Sequence, residues 1–130
     1  MKYLFDSSAI FRAIKENKVE VLTGNCTLEL ARYELGNIVW KDYVLQAKIS
    51  GQEMKMLAKT IRRTLSIMDV LAAVGSEEEI LETAVQLNVT FYDASYVYFA
   101  RTKNLQLISE DKHLTKKAIS VITALALDDL

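Results

Sequence analysis

The chain has 130 residues, 51% apolar and 25% charged, which is the size of one domain with a core of its own and excludes a disordered or low-complexity protein. Sixteen Lys and Arg against 17 Asp and Glu leave a formal net charge of −1, which argues against a broad nonspecific nucleic-acid surface and leaves any such contact to a local patch. The one cysteine, Cys26, rules out an intrachain disulfide and, with no second thiol or His nearby, reads as a packing residue.

Residues 1–6 reach a charge too early for a signal peptide, and no apolar run approaches the roughly 18 residues of a spanning helix. The expectation is a cytoplasmic protein without a membrane segment, folded as a single domain over residues 1–130. Residues 2–5 predict a short buried strand, and Ser7 and Ser8 offer a cap for a helix over 9–14. A second apolar run over 19–22 stops at Thr23, Gly24 and Asn25; Thr27 then predicts the cap of a long helix from 28 to about 48, broken by Ser50 and Gly51. Residues 52–65 predict an amphipathic helix with Met54, Leu57, Ala58, Ile61 and Leu65 near one face and Lys55, Lys59, Arg62 and Arg63 largely off it.

Further on, 70–74 predicts a strand, Ser76 and Glu79 a capping box, and the helix they open runs to a stop at Asn88. Thr90 and Asp93 repeat the capping-box spacing before a helix over 94–103. A strand over 105–109, a helix over 112–118 and a last strand at 121–122 complete the pattern, and 124–130 receives no assignment. Strands alternating with helices predict an α/β fold with a mostly parallel central sheet, because parallel neighbours need crossover connections that are usually helical.

Four acids stand out against this frame. Asp6 and Asp111 each follow a predicted strand, and in open parallel sheets ligands bind beyond the carboxyl ends of the strands. Asp93 opens a helix near the domain rim. Glu34 has Leu30, Ala31 and Ile38 three or four residues away, inside the apolar stripe of its helix, where an ionised carboxylate needs a partner. Burying an unpaired charge costs several kcal/mol or more, which shared coordination of a cation offsets. Oxygen ligands without His or Cys point to Mg²⁺ or Mn²⁺. The structural alternative is that Asp6 and Asp111 are helix caps, that Asp93 completes a capping box with Thr90, and that Glu34 pairs with a neighbouring base.

The order and spacing of four segments carry a resemblance. They are Leu4, Phe5, Asp6, Ser7 and Ser8; residues 30–37 with Glu34 and Asn37; Tyr92, Asp93, Ala94, Ser95 and Tyr96; and Leu107, Ile108, Ser109, Glu110 and Asp111. Together they span nearly the whole chain, which resembles the PIN-domain nucleases and in particular the toxins of VapBC toxin–antitoxin pairs. The resemblance implies a three-layer α/β/α PIN-like fold and a Mg²⁺- or Mn²⁺-dependent endoribonuclease, with Asp6, Glu34, Asp93 and Asp111 as metal-binding and catalytic acids. Ser8, Asn37 and Ser109 would support them. It also implies an RNA substrate, a cognate antitoxin and a homodimer. Ser109 stands where members often have Thr, and Glu110 beside Asp111 competes for the fourth acidic role.

Other residues have plainer readings. Lys55, Lys59, Arg62 and Arg63, like Lys112, Lys116 and Lys117, suit a solvated helix face better than an RNA path; His113 reads as a surface residue. Trp40, Tyr33, Tyr43, Tyr92, Tyr96 and Tyr98 suit packing or a subunit interface better than base stacking. A phosphotransfer domain of the haloacid-dehalogenase kind would want a second Asp where Ser8 stands, and a receiver's acidic pair and late Lys are not traceable. A PIN-like module serving only as a binding scaffold is the non-enzyme alternative.

Overall fold

A computed structural model describes residues 3–130. Five short strands, β1 (Tyr3–Phe5), β2 (Cys26–Leu28), β3 (Asp69–Leu71), β4 (Gln106–Ile108) and β5 (Ala124–Leu125), form one sheet in the order β3-β2-β1-β4-β5, and every pairing is parallel. Six helices connect them: α1 (Ser7–Lys15), α2 (Leu30–Trp40), α3 (Gly51–Ser66), α4 (Glu77–Leu87), α5 (Phe91–Thr102) and α6 (Lys112–Ala118). The chain moves outward from β1 through β2 to β3 and then returns to the other side of β1, so the order reverses between β1 and β4.

Alternation along the strands separates two cores. Leu4 and Leu107 pack with Ile80, Tyr96, Val97 and Leu114 of α4, α5 and α6, whereas Phe5 and Ile108 pack with Ile10, Leu35, Ile61 and Leu65 of α1, α2 and α3. Adjacent strand residues point to opposite faces, so each three-residue strand supplies both layers. The result is the three-layer α/β/α arrangement the sequence implied.

Several local expectations need correction. Asp6, not Ser7 or Ser8, is the N-cap of α1 and accepts the Ala9 N–H. Thr27 does not cap a helix: it sits in β2, and its buried hydroxyl donates to the Phe5 carbonyl at 2.8 Å. The long helix ends at Trp40 and passes into a π-helical turn, Lys41–Leu45, closed by Gln46 N–H on the Lys41 carbonyl. Residues 19–22 form a 3₁₀ turn.

Ser50 and Gly51 do not break the long helix, which has already ended several residues earlier; they open the next one. Ser50 caps α3 in a reciprocal box with Glu53, and a Cβ on Gly51 would stand 3.2 Å from Tyr43 Oη. Ser76 makes no side-chain cap; Gly75 N–H instead reaches Glu77 Oε1. The strands expected at 70–74 and 105–109 occupy Asp69–Leu71 and Gln106–Ile108, whereas residues 121–122 form a turn and the last strand is Ala124–Leu125, in the stretch that had no assignment. Thr90 accepts the Asp93 N–H, but its own N–H makes no reciprocal bond to the Asp93 carboxylate. Asn88 does end α4, in the left-handed region at φ 53°, which Asn tolerates better than most residues. Lys2, expected in the first strand, lies outside the described residues.

The Thr27 hydroxyl ties the end of β1 to β2 next to Asp6. Thr27→Val keeps the shape and removes this bond, and the expected loss is about 1 kcal/mol of unfolding free energy, measured by urea titration.

Candidate active site at the carboxyl edge of the sheet

Asp6 leaves β1 and Asp111 follows β4 on the two strands flanking the point where strand order reverses, the usual ligand crevice of an open parallel sheet. Asp6 is 5% exposed. Its Oδ1 accepts the Ser8 hydroxyl at 2.6 Å and the Ala9 N–H at 2.9 Å, and its Oδ2 accepts the Ser109 hydroxyl. Burial raises its pKa to about 6 against these three bonds, which pull the other way; the charge of Glu34 adds to the rise.

Glu34 is half-buried on α2, and its Oε1 accepts the Tyr96 hydroxyl at 2.7 Å. Burial raises its pKa, the Tyr96 and Ser7 hydroxyls oppose the rise, and the charge of Asp93 adds to it. Tyr96 is buried in α5, and burial together with Glu34 keeps its phenol protonated as a donor. Asp93, in the first turn of α5, is raised by burial and then by Asp111, while His113 lowers it. No described residue donates a hydrogen bond to its carboxylate.

Asp111 is exposed and caps α6, accepting the His113 and Leu114 N–H groups with Oδ1 at 3.0 and 3.2 Å. Electrostatic influence therefore runs from Asp6 to Glu34, to Asp93, to Asp111. The four acids share one edge, yet among the described residues no three His, Cys, Asp or Glu side chains converge closely enough to hold an ion. Hydrogen bonds turn Asp6, Glu34 and Asp111 toward the protein. No described Lys, Arg or His forms an ion pair with any of the four.

Glu110 faces a different set of partners. Its carboxylate binds the Arg12 guanidinium and the Leu127 N–H, while its own N–H donates to Ser8 Oγ at 2.9 Å. Ser8 and Ser109 both touch Asp6, whereas Asn37 is exposed on α2 and has no hydrogen bond to the four acids. Tyr96 was read from sequence as packing; only its distance from Glu34 in the fold reveals the donor. His113 likewise gains a place beside Asp93. Lys55, Lys59, Arg62 and Arg63 are all exposed on α3, and Lys117 caps the Asn88 carbonyl.

A fully parallel α/β sheet with one buried acid, two half-buried ones and one exposed acid along the edge at its switch point describes a PIN-like domain. No protein-family model matches the chain. Over 130 aligned residues it is 33% identical to Exonuclease VapC9 of Pyrobaculum aerophilum, spanning 96% of this chain and 94% of the relative. Ribonuclease VapC3 of the same organism is 26% identical over 75% of this chain and 73% of its own length. The crystal structure of PAE2754 from Pyrobaculum aerophilum superposes with a TM-score of 0.83 at 27% identity, covering 99% of this chain and 85% of that one. VapBC2 from Rickettsia felis, solved bound to a DNA fragment from its promoter, gives a TM-score of 0.67 at 14% identity over 98% and 100%. The chain belongs to the VapC family of PIN-domain nucleases.

The raised Asp6 pKa carries a stability consequence for the metal-free protein. Between the ordinary value of 3.8 and about 6 the folded state holds the proton more tightly than the unfolded chain, so the contribution of Asp6 to stability is greatest at low pH and is lost as pH rises through that window. Asp6→Asn removes this dependence. Urea unfolding from pH 4 to 7.5 is expected to show the variant gaining on the wild type as pH rises, by up to about 3 kcal/mol.

Proposed function

We propose that this chain, acting as one domain, is a divalent-metal-dependent endoribonuclease and the toxin of a toxin–antitoxin pair. The observation that carries this reading is Asp93. It is half-buried, under the charge of Asp111, and receives no hydrogen bond from the described residues, so only the nearby His113 opposes the burial of its ionised form. The donor set fits Mg²⁺ or Mn²⁺: four oxygen-bearing acids with no basic side chain paired to them among the described residues.

Asp6, Glu34, Asp93 and Asp111 would hold the cation once their side chains turn toward it from the present arrangement, in which no three of them converge. Its chemistry there is charge neutralisation at a phosphodiester and acidification of the attacking water. Ser8, Ser109 and the Ala9 amide fix both oxygens of Asp6, and Tyr96 fixes Glu34 through a proton it keeps. Asn37 remains a supporting candidate one turn beyond Glu34. The engagement of Glu110 with Arg12 and Leu127 favours Asp111 as the fourth acid.

RNA as substrate draws support from the relative named a ribonuclease, and exposed Tyr92 beside Asp93 offers a base-stacking face. A cognate antitoxin fits the exposed apolar groove formed by Val39, Trp40, Tyr43 and Val44 against Met54 and Ala58, and a homodimer completes the assembly. No described helix is long and apolar enough to cross a membrane, which accords with a cytoplasmic role. The name of VapC9 supports a second reading, an exonuclease.

Calorimetry with Mn²⁺ should give binding to wild type and none to Asp93→Asn, with the melting curve retained. A circular RNA and a DNA circle of the same sequence then separate the readings. Cleavage of the RNA circle alone marks an endoribonuclease; cutting only of linear ends marks an exonuclease. Absence of both Mn²⁺ binding and cleavage in the wild type would turn the assignment to a binding scaffold.

A further inference from the structure

We propose that Arg12 and Glu110 form a positioning clamp that holds the Ser109–Glu110–Asp111 turn against α1 and the C-terminal segment, and thereby sets the geometry of Asp6 and Asp111. The Arg12 guanidinium reaches three acids at once. Nε binds Glu16, the C-cap of its own helix, at 2.7 Å, Nη1 binds Glu110, and Nη2 binds both carboxylate oxygens of Asp128 at 2.8 Å. The second Glu110 oxygen accepts the Leu127 N–H at 2.8 Å, and Leu127 is itself buried among Phe5, Ile108 and Leu35.

The other side of the same turn faces Asp6. Glu110 N–H donates to Ser8 Oγ at 2.9 Å, and Asp111 N–H donates to Ser109 Oγ at 3.0 Å. Both hydroxyls donate onward to Asp6, one to each oxygen. Two backbone N–H groups, those of Glu110 and Asp111, thus connect the clamp to the buried carboxylate through two hydroxyls. Charged hydrogen bonds at 29% and 22% side-chain exposure keep more of their strength than fully exposed ion pairs. A guanidinium suits this place because its fork spans several acceptors in one plane, which an ammonium does not do.

Arg12 and Glu110 act through Asp6 and Asp111, and the clamp makes residues 127–128 part of the support of the site. The inference rests on the nuclease reading for its kinetic readout only. Arg12→Ala, Glu110→Ala, the double variant and Arg12→Lys would be compared with wild type in kcat and KM on RNA, Mn²⁺ affinity, melting temperature and amide hydrogen exchange. Each Ala variant is expected to lose about 10- to 100-fold in kcat or Mn²⁺ affinity, the usual effect of a supporting partner, with KM little changed. The double variant should be no worse than either single one, as for residues acting as one unit. Arg12→Lys should recover part of the loss.

Exchange at the Glu110 and Asp111 amides should accelerate while the core-strand amides stay protected. That measurement tests the clamp even if wild type neither cleaves RNA nor binds Mn²⁺, in which case the nuclease reading alone would fall. Unchanged exchange at these two amides would overturn the clamp. So would additive losses, a rise in KM alone, which marks Arg12 as a phosphate contact, or a loss that merely follows the melting temperature.

Discussion

A carboxylate buried at the end of the central strand has to be satisfied from the protein side, and Asp6 achieves this by joining three elements. Its N–H closes the β1–β4 ladder on the Ile108 carbonyl. Its Oδ1 caps α1 through Ala9 and accepts Ser8, and its Oδ2 accepts Ser109 from beyond β4. Strand end, helix start and neighbouring strand are thereby placed relative to one another by one side chain. Three donors offset the burial only in part, which is why the acid still titrates well above its ordinary range.

That incomplete compensation spreads along the edge. Glu34 raises Asp6, Asp93 raises Glu34, and Asp111 raises Asp93. A fold selected for stability alone would place a base among such groups; here Arg12 answers Glu16, Glu110 and Asp128 instead. Acids held close together in partial burial, with the available guanidinium turned elsewhere, are a local conflict of the sort that functional sites retain at some expense of stability. The apolar layers on both faces of the sheet make that conflict tolerable, because Leu4, Leu107, Phe5 and Ile108 anchor the strands from which the acids project.

Local sequence was most informative where a pattern was long or a cap unambiguous. The helix over 112–118 stands where it was expected, the basic residues of α3 are exposed, and Asn88 ends its helix. It misled where elements are short. β2 has only three residues, too few to show a period, and Thr27 carries the same hydroxyl whether it caps a helix or crosses to a neighbouring strand. The turn from α2 into a π-helical segment has no Pro or Gly to announce it; Gly51 and Tyr43 are matched only in space.

The sequence by itself determined the alternation of strands and helices, hence a parallel α/β sheet, and it made Glu34 conspicuous, because periodicity exposes a charge lying in an apolar stripe. Family likeness of four segments was legible in the same way, through spacing along the chain. Tertiary structure alone decided which groups answer those acids. Tyr96 lies 62 residues from Glu34, Ser109 lies 103 from Asp6, and Arg12 lies 98 from Glu110. Hydrogen bonds depend on distances of about 3 Å, and no local pattern encodes a partner that only the closing of the sheet brings within reach.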